Sequence, residues 1–453
     1  MKLLGPKGEV NMLVETFLTS DQLIQRDKAV VTPAIYRYTD VALVRGEGIF
    51  VYDAEGRRYY DMAAGIATMN VGHSHPRVVA AIAEQAKTLI HGAAHVGYMA
   101  PYVEMVEKLL TLAPPPLNQG KGVLLNSGSE AVETAIKLAR AITGRSMVLA
   151  FLDSFHGRPM GALALTGSSS GYRRHLASLL TGVEHVPYPN CYRCAFGHGS
   201  RTPDACCGQW RNFIQLTLER LVHPDDLAAI IVEPIAGEGG YLVPPDDFLP
   251  ALREICDRTG ALLIADEVQT GLGRTGRWFA VEHWGVTPDI MALGKAIGGG
   301  LPLGAVLARR DLMDAWWPAA HGSTFGGNPV ACRAGLETIA IMEEEGLLAN
   351  AVAVGEHIQT RFRAAQATLP LIGQVRGMGL MVAVDLVNDS GKPITVDAVK
   401  QVIKHLGEAG VLMTKCGPSA LRLAPPLILS QEQADAAVDI ILHVLTSLQD
   451  ELR

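Results

Sequence analysis

At 453 residues and 48% hydrophobic composition, the chain can bury one large core or two moderate ones. Its 39 basic residues against 46 acids give a net charge of −7 with no basic tract, which argues against nucleic acid or an anionic membrane as main partner. No run approaches the roughly 18 apolar residues of a spanning helix. Residues 1–17 lack the apolar centre of a secretory signal, and 7 cysteines make no secreted disulfide framework in a chain this long, so a cytoplasmic location is expected.

Taken in order, Val14 to Asp27 reads as a short helix. Ile49 to Met62 holds two alternating apolar runs around Asp53-Ala54-Glu55-Gly56, a hairpin signal. The small-residue segment Met62–Pro76 carries His73 and His75, which without a nearby acid read as loop residues. Helical spacing follows over Pro76–Ile90 and Pro101–Leu112. A strand at Val123–Leu125 then gives way to a helix whose apolar face is Val132, Ala135, Ile136 and Ala139. Between them Ser127 and Glu130 match a capping box, and a Gly/Ser turn at a helix N-terminus suits an anion.

Further strands are expected at Met147–Leu152, which runs into Asp153-Ser154-Phe155-His156-Gly157-Arg158, and at Ala228–Val232, which runs into Glu233 and Gly237-Glu238-Gly239-Gly240. A helix over Asp246–Arg258, closed by Gly260, leads to the apolar run Ala261–Ala265 and the acids Asp266 and Glu267. Lys295 stands alone in a small-residue loop, and His321–Gly335 is a second Gly/Ser/Thr turn feeding a helix. A long helical pattern covers Leu336–Ala365. Beyond it lie strands at Leu380–Leu386, Val411–Thr414 and Ala420–Ala424, and a helix at Val396–Gly407. Repeated βαβ units predict an α/β fold: a large domain, 66–335, with a mostly parallel sheet flanked by helices, and a smaller α/β domain from both chain ends, 1–65 with 336–453.

Parallel sheets place ligands beyond their strand ends. The turns there gather Gly128, Ser129 and Thr324, the carboxylates Asp266, Glu233 and Glu238, Arg158, and Lys295. A nucleotide site would need a G-x-x-x-x-G-K-[ST] or a strand-anchored G-x-G-x-x-G, and neither is present. A pyridoxal phosphate site would use the lysine as a Schiff-base former and an acid to keep the pyridine nitrogen protonated.

The stretches NSGSEAVETAIKLAR, SFHGR, VEPIAGEGG, LLIADEVQTGLGRTG, PDIMALGKAIGGGLPLGA and STFGGNPVACRAG resemble the motifs of class III pyridoxal-phosphate aminotransferases, in the family's order, over roughly Val44–Leu427. Within that family the chain is most similar to 4-aminobutyrate aminotransferases. The resemblance implies pyridoxal 5′-phosphate bound covalently by Lys295, which also shuttles the substrate proton, with Asp266 on the ring nitrogen. Val268 and Phe155 would cover the ring faces, and Gln269 would reach the ring oxygen. Gly128 and Ser129 would hold the phosphate, joined by Thr324 from the second subunit of a homodimer or tetramer. Ile66 would pack on the substrate chain and Arg158 would hold its distal carboxylate. Arg422, covered by or freed from Glu238, would take the α-carboxylate of 2-oxoglutarate. Glu233 is placed with the substrate residues.

An ω-amino acid aminotransferase is thus the leading expectation. An amino-acid racemase or epimerase on the same scaffold is the alternative, and a non-catalytic cofactor- or metal-binding protein a third. Two features depart from the family pattern: Pro159 stands where a threonine is usual, and an insert at about 188–210 carries Cys191-x₂-Cys194 and then Cys206-Cys207. Four thiols at this spacing suit zinc or an iron–sulfur cluster, or are simply reduced loop cysteines.

Overall fold

The computed structural model describes residues 19–176, 178, 181–199 and 206–452. Seven strands form the central sheet: β1 (Lys121–Leu125), β2 (Met147–Phe151), β3 (Val183–Val186), β4 (Leu227–Val232), β5 (Leu262–Asp266), β6 (Ile290–Leu293) and β7 (Gly304–Ala308). Their order is β1-β7-β6-β5-β4-β2-β3. The run from β6 through β5, β4 and β2 to β3 is parallel. Strand β7 runs antiparallel to both β6 and β1, so the sheet is mixed. The reason is the short connection Gly294–Leu303, which has no crossover helix and so returns the chain antiparallel.

Alternation along the strands builds both faces. Leu149, Phe151, Ile230, Leu263 and Ala265 enter one core. Val148, Ala150, Ala229, Ile231, Leu262 and Ile264 meet Val132, Ala135 and Ala139 of the helix Gly128–Thr143 on the other. Helices on both faces explain why these strands read as unbroken apolar runs.

The remaining sheets draw on both chain ends. The hairpin Phe50–Asp53/Arg58–Asp61 pairs as expected, with Gly56 at φ +82° in its turn. Strand Val411–Leu412 then adds in parallel beside Arg58–Asp61. A second antiparallel sheet runs Ile372–Met378, Met381–Leu386, Ala420–Leu423, Thr414–Cys416. Ile49 and Met62 share a core with Val399, Leu406, Val411 and Ile441. The long helix expected over 336–365 is two helices, Pro329–Glu344 and Leu347–Ala365, separated by Gly346 at φ +64°. The first helix is Ser20–Val30 rather than Val14–Asp27; residues 14–18 lie outside the described residues. No helix among the described residues is long and apolar enough to cross a membrane.

Candidate active site

Beyond the ends of β2, β4, β5 and β6 lies a cavity of about 980 Å³. Its walls include Ile66, Gly128, Ser129, Phe155, Arg158, Glu233, Glu238, Asp266, Val268, Gln269, Lys295 and Arg422. Of the residues expected at the site, Thr324 does not reach this cavity. The chain brings the others together from positions 66 to 422.

The floor is a close approach of two turns. A Cβ on Gly294 would lie 2.9 Å from Gly128 Cα, and one on Gly128 would lie 2.5 Å from Val268 Cγ1. Only glycine fits at either point, and the fit presses Lys295 against the helix N-terminus. There Ser127 Oγ accepts from the Glu130 N–H at 3.2 Å, while the Glu130 carboxylate accepts from the Asn126 N–H at 2.8 Å, one residue away from a strict capping box. First-turn N–H groups of a helix have no intrahelical acceptor, so Gly128 and Ser129 offer donors to an anion in the cavity.

Lys295 itself sits at φ +49°, and Ile66 at +67°. Side-chain-bearing residues rarely adopt this conformation, and its recurrence on one cavity wall marks a site held by its surroundings. Burial, then the positive charge of Arg422, pulls the Lys295 ammonium down to about 8, against Asp266 and Glu233. The neutral amine, the nucleophilic form, therefore dominates above that pH. In cofactor-free protein, the rate of covalent pyridoxal phosphate uptake should rise about tenfold per pH unit below about pH 8 and level off above it. Stopped-flow absorbance would read this, and a flat profile would contradict it.

Asp266, at the end of β5, is braced from behind. Its Oδ1 accepts from the Val268 N–H at 3.0 Å, and its Oδ2 meets His156 Nδ1 at 2.7 Å. Burial opposes a charge on His156, but the hydrogen bond and charge of Asp266 outweigh it and raise the imidazole pKa. His156 stands in the SFHGR motif, yet nothing in its spacing announces a partner in another strand's turn. Glu267 faces away, accepting from the Val281 N–H at 2.8 Å and from the Thr270 hydroxyl.

Four charged residues expected to meet substrates have partners within the chain. Glu233 lines the cavity and accepts from the Phe155 N–H (2.7 Å) and the Gly237 N–H (2.9 Å), so it ties two loops together. Glu238 forms no ion pair with Arg422; it accepts from the Tyr172 hydroxyl at 3.1 Å. Arg422 instead donates to Tyr241 Oη at 2.8 Å and to Gln269 Oε1. Arg158 lies 4.1 Å from the centre of the Tyr172 ring and 5.7 Å from that of Phe155, with no carboxylate partner among the described residues. Pro159 caps the helix Met160–Leu165 at φ −56°, a value its ring favours. Tyr36, Tyr38, Tyr172 and Lys415 also line the cavity, and none of them stands in a motif that the sequence announces.

The cysteine insert does not assemble the expected metal shell. Among the described residues no group of three or more His, Cys, Asp or Glu side chains is placed to hold a metal. Cys194 and Cys207 meet at 3.5 Å between sulfurs, Cys191 is buried, and residues 200–205 lie outside the described residues.

The residues present fit pyridoxal phosphate: a lysine in reach of an anion-binding helix end, and a braced carboxylate facing the cavity. The arrangement defines a pyridoxal-phosphate-dependent transaminase fold. Among solved structures, an (S)-enantioselective ω-transaminase from Thermomicrobium roseum superposes with a TM-score of 0.88 at 32% identity, covering 96% of this chain and 100% of that one. The family model "Aminotransferase class-III" matches residues 33–445, and the chain belongs to this family. It is 39% identical to the 5-aminovalerate aminotransferase DavT of Pseudomonas aeruginosa over 96% of this chain and 99% of that one. It is also 38% identical to a leucine/methionine racemase of Thermococcus litoralis, over 96% and 97% respectively.

Proposed function

We propose that the protein moves an amino group from an ω-amino acid of the 4-aminobutyrate kind to 2-oxoglutarate, in two half-reactions at one site. The observation that carries this reading is one cavity with two guanidiniums, Arg158 and Arg422, neither ion-paired among the described residues. A racemase has one substrate and no need of a second carboxylate receptor. A transaminase must seat a monocarboxylate and then a dicarboxylate. The 5-aminovalerate relative supports an ω-amino donor.

Bound pyridoxal phosphate would supply an aldehyde for the amine and a ring that takes up electrons. Lys295 would hold its aldehyde and then carry the proton from the substrate carbon. Asp266 would keep a proton on the ring nitrogen, Phe155 and Val268 would cover the ring, and Gln269 would lie at its edge. Arg158 would hold the distal carboxylate of the donor and Arg422 the α-carboxylate of the oxo acid. Thr324, outside this chain's cavity, would act on the phosphate of a second copy, beside the exposed Phe325.

The test is a half-reaction screen that follows loss of the cofactor's long-wavelength absorbance with each amine. Arg158→Ala should raise the KM for 4-aminobutyrate roughly ten- to a hundredfold, the worth of a charged hydrogen bond, and leave an uncharged alkylamine little affected. Racemisation of a single enantiomer without an oxo acid, and without amino transfer, would hand the assignment to the alternative.

A further inference from the structure

Arg422 is a buried cation whose hydrogen-bond partners, Tyr241 and Gln269, are both neutral. Glu238 shares its cavity but is turned toward Tyr172, whose hydroxyl donates to Glu238 Oε1 at 3.1 Å. The same tyrosine presents its ring face to Arg158, 4.1 Å from ring centre to guanidinium carbon, and its edge geometry to Phe155, at 5.7 Å and 76°. Tyr172 therefore touches the carboxylate and one of the two guanidiniums that sort substrates.

These contacts reinforce each other. A phenol that donates to a carboxylate becomes more electron-rich, and an electron-rich ring face holds a cation more firmly. The position of Glu238 matters because a carboxylate lying on Arg422 would exclude a substrate carboxylate from it.

We infer that Tyr172 is a specificity-determining residue: it docks Glu238 away from Arg422, leaving that arginine open to the α-carboxylate of the oxo-acid substrate. This rests on the aminotransferase reading above. Glu238 then has two stations, one on Arg422 for the amine donor and one on Tyr172 for the dicarboxylate. The hydroxyl of Tyr172 sets the balance, and its ring keeps Arg158 aimed in both.

Tyr172→Phe removes the hydroxyl and keeps the ring. In the intact holoenzyme the KM for 2-oxoglutarate should rise about tenfold, as for one lost charged hydrogen bond. The KM for 4-aminobutyrate should rise as well but by less, about threefold at most, because the phenylalanine ring still faces Arg158. In a Glu238→Gln background the same substitution should have no further effect on 2-oxoglutarate, because its route of action is gone. An unchanged KM for 2-oxoglutarate in Tyr172→Phe, equal damage to both half-reactions, or full additivity with Glu238→Gln would each overturn the inference. A wild-type enzyme inert toward 2-oxoglutarate would sink the functional reading itself, and the inference with it.

Discussion

Replacing Lys295 with alanine should abolish turnover, by roughly 10⁴-fold or more, together with the cofactor's long-wavelength absorbance. In the function proposed, the lysine would serve twice, as the covalent anchor and as the proton carrier. Lys415, also on the wall, donates to the Gly417 carbonyl at 3.0 Å and comes from a different strand. Non-covalent cofactor binding should survive, since the Gly128–Ser129 donors for the phosphate and the Asp266 carboxylate for the ring are untouched. The variant should therefore take up pyridoxal phosphate reversibly and release it on dialysis. Its melting temperature should stay near wild type, because alanine at φ +49° exchanges one strained residue for another. Retained turnover with retained absorbance would mean that the anchor is elsewhere.

The second large effect is expected at Asp266. Asp266→Asn keeps size and most contacts but removes the anion that would keep the ring nitrogen protonated, so the donor half-reaction should slow by about 10³-fold, about 4 kcal/mol of barrier. Asp266 also raises the pKa of the buried His156 imidazole against its burial; with asparagine the larger of the raising influences is lost. His156→Asn should be milder, because the carboxylate remains and loses only its brace. Single-turnover bleaching of both variants checks the ranking. A larger loss in His156→Asn than in Asp266→Asn would reverse the roles given to the two residues.

Much of this site was legible because its chemistry sits in short strand-end motifs. Asp266, Lys295, Gly128 and Ser129 lie where a buried apolar run stops, and an apolar run is visible without any knowledge of its partners. Interactions between motifs were another matter. The His156–Asp266 contact joins the ends of β2 and β5, and Tyr172 meets Glu238 across 66 positions of sequence. No periodicity encodes such a pairing. Arg422 and Glu238 both line the cavity, but their contacts to Tyr241, Gln269 and Tyr172 were not legible, since a sequence names charges and not the direction of a side chain. β7 is five residues long, and its reversal depends on the length of the turn before it rather than on its own composition.

The parallel pairing of Val411–Leu412 with Arg58–Asp61 has a consequence for the order of events on the ribosome. All the strands of the central sheet, with Asp266 and Lys295, are synthesised before residue 309. The hairpin near the start of the chain must wait some 350 positions for the strand that pairs beside Arg58–Asp61, and Arg422 emerges later still. A nascent chain can thus complete most of the pocket while Arg422 is still untranslated, and the final hundred residues bring the last of its two guanidiniums.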